Sequence, residues 1–178
     1  MITPPALLLS ALVFTALVPP PCVPLQTSTL IAQACTHTPD RDLCLSTLRT
    51  APEGSDLRGL TMAALKVANA NASAVYNHIS GVLKAATNSY EKQCLTECYD
   101  NYQDAMDQIE DSLAALETRG YDDILAWIAS AMNDADSCEE CFRAKPGYKS
   151  PLTEMNNGFD HLCTIVIATA NLLVDGEE

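Results

Sequence analysis

Residues 94–98 read CLTEC and residues 138–141 read CEEC, and the stretch that these two cysteine motifs enclose decides the fold. Apolar residues recur along it every three or four positions, first at Leu95, Cys98, Tyr102, Ala105, Ile109, Leu113 and Leu116, then at Ile124, Ile128, Ala131, Ala135, Cys138 and Phe142. This spacing is typical of amphipathic helices that pack at small crossing angles. Gly120 is predicted to end the first helix. Each of these two runs of apolar residues forms a stripe along one helix. Because the link between the two helices, near Gly120, is short, we expect them to be antiparallel neighbours.

The cysteines of the two motifs predict a ladder of two disulfides. Cys94 and Cys98 are spaced i, i+4 and Cys138 and Cys141 are spaced i, i+3, so each pair shares one face of its helix. In antiparallel helices, a bridge from Cys98 to Cys138 places Cys94 opposite Cys141. Cysteines at these spacings can also bind zinc, but no further ligand signature accompanies them. The pattern therefore favours two disulfides, and we predict no metal site.

Two further apolar stripes predict two more long helices. One covers residues 60–82, with Ser55 or Asp56 as the expected N-cap. The other covers residues 152–173 and opens after Ser150-Pro151. Together with the central pair, these stripes predict an all-α, up-down-up-down four-helix bundle.

An N-terminal helical hairpin is predicted to precede the bundle. Cys35 and Cys44 enclose a Thr-Pro-Asp turn between two short helical segments, where a disulfide would pin the hairpin. Cys163 has no evident partner, so we expect it to be a buried free thiol. The predicted fold is thus a single disulfide-stapled domain covering residues 29–174.

The first 30 residues carry no charged side chain, and residues 6–18 form an apolar run of signal-peptide length. We expect residues 1–25 to be a signal peptide, cleaved somewhere between residues 21 and 29. Cys22 would then leave with it or lie in a frayed N-terminus. The alternative is a buried N-terminal helix. Secretion would also suit the disulfides, because they persist in oxidising compartments.

The net charge of -13 limits the partners of this chain. An acidic protein is repelled by nucleic acid and by anionic membrane surfaces, so we expect neither as a partner. It can bind a basic protein, or the charge can serve solubility alone. We expect a soluble monomer.

The sequence contains no recognisable catalytic set, and we expect neither enzyme activity nor a cofactor. His37, His78 and His161 are scattered over separate elements, and no phosphate-binding loop or nucleophile elbow occurs. Carboxylate pairs such as Glu139-Glu140 are expected to lie on solvated faces. Asn71 begins an Asn-Ala-Ser sequon at a break in the apolar stripe, so it is a candidate for glycosylation if it faces solvent.

Four segments carry a resemblance to a known family. They read ACTHTPDRDLCLSTL at residues 34–48, CYDNYQDA at 98–105, SCEECF at 137–142, and the terminal helix. In this order the segments resemble the plant invertase and pectin methylesterase inhibitors over residues 28–174. DLRGL at 56–60 and KSPLT at 149–153 are most similar to the pollen members, a group that includes the plane-tree pollen allergen.

The resemblance implies a four-helix bundle with an N-terminal hairpin and disulfides Cys35–Cys44 and Cys98–Cys138. Cys94, Cys141 and Cys163 depart from the family pattern, so a Cys94–Cys141 bridge rests on helix geometry alone. The resemblance also implies inhibition of acid invertase or pectin methylesterase, through a one-to-one complex at the cleft of that enzyme. Such a protein would work in the plant apoplast or the vacuole.

The resemblance suggests two sets of target-binding residues. Invertase inhibitors present a Pro-Lys-Phe segment near the link between the second and third bundle helices; residues 118–123 here read TRGYDD. This stretch offers Arg119 and Tyr121 as a cationic and aromatic pair, followed by Asp122 and Asp123. Polar helix faces would instead contact pectin methylesterase, and here the candidates are Asp104, Asp107 and Asp111.

A non-inhibitory bundle, with a storage, structural or ligand-binding role, is the alternative. A rigid, exposed link around residues 119–123 would favour the inhibitor, whereas a sizeable apolar cavity inside the bundle would favour ligand binding.

Overall fold

The computed structural model describes residues 27–176, which form six helices. They are α1 (Thr27–Ala34), α2 (Arg41–Leu48), α3 (Leu57–Ala85), α4 (Ser89–Thr118), α5 (Tyr121–Arg143) and α6 (Thr153–Asp175). The short α1 and α2 are the predicted hairpin, and α3 to α6 are the four predicted bundle helices. The signal peptide predicted at residues 1–25 lies outside the described residues, as does Cys22.

Side-chain caps start several of the helices. Asp56 caps α3, as one of the two predicted candidates, and its carboxylate accepts a hydrogen bond from the Gly59 N–H at 2.9 Å. Asn88 caps α4 in the same way, by accepting from the Tyr90 and Glu91 N–H groups. These caps satisfy N–H groups that have no partner within the helix.

The prediction that Gly120 ends α4 is wrong by one residue. Arg119 adopts the left-handed conformation at φ 63°, and Gly120 has φ -78° and is the N-cap of α5. A Cβ at 120 would lie 2.8 Å from Oδ2 of Asp123, which is the end of an exposed, flexible side chain and can move away. Neither a positive φ nor a rigid neighbour therefore requires glycine at this position.

The long helices pack in cyclic order, α3 against α4, α4 against α5, α5 against α6, and α6 back against α3. Stacked rings of Tyr76 and Tyr99, with centroids 4.2 Å apart, mark the α3–α4 contact. The hairpin packs on α3 and α6. Helix α6 is long and apolar enough to cross a membrane by length and composition, but it packs here as a core helix of the bundle.

All three predicted disulfides are present. Cys35–Cys44 closes the hairpin with a Cα–Cα distance of 5.6 Å, and Cys94–Cys141 and Cys98–Cys138 join α4 to α5 at 5.5 and 4.5 Å. The earlier cysteine of α4, Cys94, is bonded to the later cysteine of α5, Cys141, and Cys98 is bonded to Cys138, so the helices are antiparallel. Cys163 forms no disulfide among the described cysteines, and burial raises the pKa of its thiol.

Candidate functional site

The link between α4 and α5 consists of only Arg119 and Gly120. Arg119 is exposed, whereas Tyr121 is buried, with 6% of its surface accessible. Its ring belongs to the apolar end of the bundle and lines an open groove of about 450 Å³, together with Leu30 and Leu173. Of the candidate pair Arg119 and Tyr121, the link therefore exposes the cation without the aromatic ring.

Arg58, at the start of α3, supports the link from inside. Its guanidinium Nη2 donates to the carbonyl oxygen of Leu116 at 3.0 Å. That carbonyl lies in the last turn of α4, where backbone oxygens lack partners within the helix and carry partial negative charge. Sequence reasoning missed this contact because the two residues are distant along the chain.

The acidic candidates lie on the outer surface of α4 and at the start of α5. Asp104, Asp107 and Asp111 recur at helical spacing and are exposed. Asp122 and Asp123 are exposed in the first turn of α5, where the helix dipole favours negative charge. Arg119 is the one basic residue between positions 93 and 142. The outer face of this helix pair is thus strongly acidic.

Helices α4 and α5 also bury polar groups along the seam between them. Asn101 Nδ2, Gln108 Oε1 and Asp134 Oδ2 are buried without a hydrogen-bond partner in the described part of the chain. Burial raises the pKa of Asp134, the nearby Asp104 carboxylate adds to this shift, and the adjacent Gln108 side chain acts against it. The ionised form of Asp134 is therefore disfavoured in the folded protein.

Trp127 is a candidate that sequence reasoning missed. Among residues 27–176 it is the one large hydrophobic side chain that is exposed, with 41% of its surface accessible. It lies on α5, one turn beyond Asp123 and next to the buried Ile128. The sequence could have predicted its exposure, because Trp127 lies beside, and not within, the apolar stripe that Ile124 and Ile128 define.

Glu139 does not lie on a solvated face, contrary to expectation. It is 7% exposed, and its carboxylate accepts hydrogen bonds from Thr153 Oγ1 at 2.6 Å and Asn156 Nδ2 at 2.9 Å. The Tyr102 hydroxyl donates to Asn156 Oδ1 at 2.9 Å, and burial raises the pKa of Tyr102. These hydrogen bonds join α4, α5 and α6 inside the core. Their role is therefore to stabilise the fold.

Asn71 does not face solvent freely, as the sequon argument assumed. It is half-buried in the middle of α3, and its Oδ1 is buried without a hydrogen-bond partner in the described residues. Ser73 of the same sequon donates to Met106 Sδ on α4 at 3.3 Å. Glycosylation at Asn71 stays a prediction, and this burial opposes it.

The structure keeps the three histidines apart. His37 is exposed in the hairpin turn, His78 is exposed on α3, and His161 is half-buried on α6. Within residues 27–176, no group of His, Cys, Asp and Glu has the arrangement to hold a metal ion. A second open groove, of about 480 Å³, lies beside the α2–α3 loop at Pro52 and Met62, outside the bundle interior.

The comparisons with known proteins agree with the all-α fold. The family model described as plant invertase/pectin methylesterase inhibitor matches residues 29–169. The chain belongs to this family. It is therefore related to proteins that inhibit enzymes, and it is not itself an enzyme.

Members of this inhibitor family from several plants are similar over most of the chain. A pectinesterase inhibitor of Actinidia deliciosa is 29% identical over 81% of this chain and 79% of its own length. The "Putative invertase inhibitor" of Platanus orientalis is 28% identical over 74% of this chain and 79% of its own. A crystal structure of a mutant pectin methylesterase inhibitor from Arabidopsis superposes with a TM-score of 0.69 at 20% identity, covering 79% of this chain and 95% of that one.

Proposed function

We propose that this protein is a secreted inhibitor of pectin methylesterase that forms a one-to-one complex through the outer face of α4 and α5. The observation that carries the choice of target is the burial of Tyr121. An invertase-type contact would need an exposed aromatic side chain beside the cation in the α4–α5 link. Here the link offers only Arg119, on a turn two residues long.

The acidic face supports the same choice. Asp104, Asp107 and Asp111 are exposed on a helix that two disulfides fix against its neighbour. A rigid face loses little conformational entropy on binding, and its charge accelerates association with a basic surface. The proposed target-binding residues are these three aspartates with Asp122, Asp123 and Arg119. Secretion to the cell wall or vacuole fits the apolar N-terminus and a relative named a cell wall/vacuolar inhibitor of fructosidase.

The test is inhibition of a purified plant pectin methylesterase and a purified acid invertase, side by side, at about pH 5 and pH 7. We expect inhibition of the pectin methylesterase alone, with an end point at one inhibitor per enzyme. Inhibition of invertase alone would overturn the choice of target. Inhibition of neither enzyme, by a sample with its disulfides intact, would indicate a non-inhibitory bundle.

A charge-matched pair of variants tests the surface. The double substitution Asp104→Asn/Asp111→Asn should weaken inhibition about tenfold, mostly through slower association at low salt. Glu53→Gln/Asp175→Asn removes the same charge from exposed positions in the α2–α3 loop and at the end of α6. Equal effects of the two variants would show that total charge, and not this face, governs binding.

A further inference from the structure

We infer that Trp127 is the central anchor of the target-binding surface, inserting its indole into an apolar recess of the enzyme that basic groups surround. This inference rests on the proposed function and adds to it a residue that the family resemblance did not supply. Trp127 is the sole tryptophan of the chain and the one exposed large hydrophobic side chain in residues 27–176.

The register of the two helices places Trp127 at the α4–α5 seam. Trp127, Asp134 and Cys141 recur every seven residues, so they share one side of α5. Cys141 is bonded to Cys94 of α4, and Asp134 lies beside Gln108 and Asp104 of α4. Trp127 therefore lies on the side of α5 that faces α4, at the outer edge of the contact. Its position is fixed by the same rungs that fix the helix pair.

Beside its buried neighbours Ile124 and Ile128, Trp127 is surrounded on α5 by short or acidic side chains. On α5 the residues around it are Asp123 and Ala126, which are exposed, and Ser130, which is half-buried. On α4, Asp104 lies near Asp134 of the seam, and Asp111 follows seven residues later, on the same side of the helix. An exposed indole bordered by carboxylates has the composition of an interface centre with a polar rim, where tryptophan is enriched among the residues that dominate affinity.

The negative charge around the indole indicates what kind of partner can bind there. A second copy of this chain would bring its own carboxylates against Asp104, Asp111 and Asp123, and like charges across an interface are unfavourable. A small apolar ligand would need a concave pocket, and Trp127 lines neither of the two open grooves described above. A protein surface with an apolar recess and basic edges fits both features.

The experiment compares wild type with Trp127→Ala and Trp127→Phe in pectin methylesterase inhibition, with the thermal midpoint of each variant measured alongside. We expect Trp127→Ala to weaken inhibition by about 30-fold or more at an almost unchanged midpoint, as for a residue that dominates an interface. Trp127→Phe should restore part of the loss, because it keeps an aromatic ring. Wild-type inhibition with no effect of Trp127→Ala would overturn this inference and leave the proposed function standing.

A second measurement does not depend on activity. Labelling with 5-fluorotryptophan gives one ¹⁹F resonance, because the chain has one tryptophan. That resonance should shift or broaden when pectin methylesterase is added. In the absence of the enzyme, it should stay unchanged as the inhibitor concentration is raised. A resonance unmoved by the enzyme, or one that shifts with inhibitor concentration, would overturn the inference; the second result would indicate self-association. Failure of the wild-type protein to inhibit at all would instead overturn the proposed function.

Discussion

The two ends of the α4–α5 pair are held in different ways. At one end, two disulfides cross the seam, and the Tyr90 hydroxyl donates to the carbonyl of Cys141. At the other, a two-residue link turns the chain, and Arg58 binds the last turn of α4 through a single hydrogen bond. The stapled end is cross-linked by side chains and mostly buried, whereas the link end is joined by the backbone alone and exposes Arg119.

The difference shows how a small bundle can present a rigid surface away from its staples. A helix is stiff along its axis, so a register fixed at Cys138 also fixes Trp127, three turns away. The link end is then free to carry charged side chains that packing does not need. If this interpretation is correct, changes at the stapled end should alter stability most, and changes along the seam towards the link should alter it least.

The largest effect is expected from removal of both rungs of the ladder. The bridges close loops with sequence separations of 47 and 40 residues, and opening both should destabilise the fold by about 4 kcal/mol on the chain-entropy model. Opening one rung should cost much less, since the other closes nearly the same loop. Urea unfolding of Cys94→Ala/Cys141→Ala, of Cys98→Ala/Cys138→Ala and of the fourfold variant measures this. Equal losses from one rung and from both would contradict it.

An intermediate effect is expected from Asn156→Ala on α6. This change removes a donor to the buried Glu139 carboxylate and the acceptor of the Tyr102 hydroxyl, so the free energy of unfolding should fall by about 2–3 kcal/mol. The neighbouring Asn157 is exposed, and Asn157→Ala is the matched control, expected to change stability by less than about 0.5 kcal/mol. Similar losses in both variants would mean that the hydrogen bonds of Asn156 contribute little.

The smallest effect is expected from Asp134→Asn at the seam, and its sign depends on pH. Burial raises the pKa of Asp134, so the folded protein holds this proton more tightly than the unfolded chain. The resulting stabilisation is full below the unfolded pKa of about 4 and is lost as the pH rises through the folded value. Asp134→Asn should thus raise the thermal midpoint by about 1–2 °C at pH 7.

The pH series supplies the check on this prediction. The gain from Asp134→Asn should shrink towards zero as the pH falls to about 3, where wild-type Asp134 is itself neutral. Asp107→Asn, at an exposed position on α4, is the control and should show a smaller gain at pH 7. A gain for Asp134→Asn that persists unchanged at low pH would point to packing, and not to ionisation, as its cause.

Most of the architecture could be predicted from local patterns. Three-four spacing predicted the four long helices, and cysteines spaced i, i+4 and i, i+3 predicted the ladder, because both depend on the geometry of single helices. The errors lie at positions beside a stripe or at its ends. Tyr121 extends the stripe of Ile124 and Ile128 by one turn, and Glu139 lies beside Cys138 on the side of α5 that faces α6.

The sequence by itself thus determined an all-α bundle and the pairing of its described cysteines, because helix periodicity and cysteine spacing are short-range properties. The inhibitor family was indicated separately, by the resemblance of four sequence segments to its members. Only the tertiary structure decided which side chains at the edge of each stripe meet solvent. Residues of α1, α3 and α6 surround Tyr121 in a shared groove, and α6 supplies hydrogen-bond partners to Glu139. Trp127 has no comparable cover in the described residues. Burial at those positions depends on neighbours distant along the chain, and a local pattern contains no information about them.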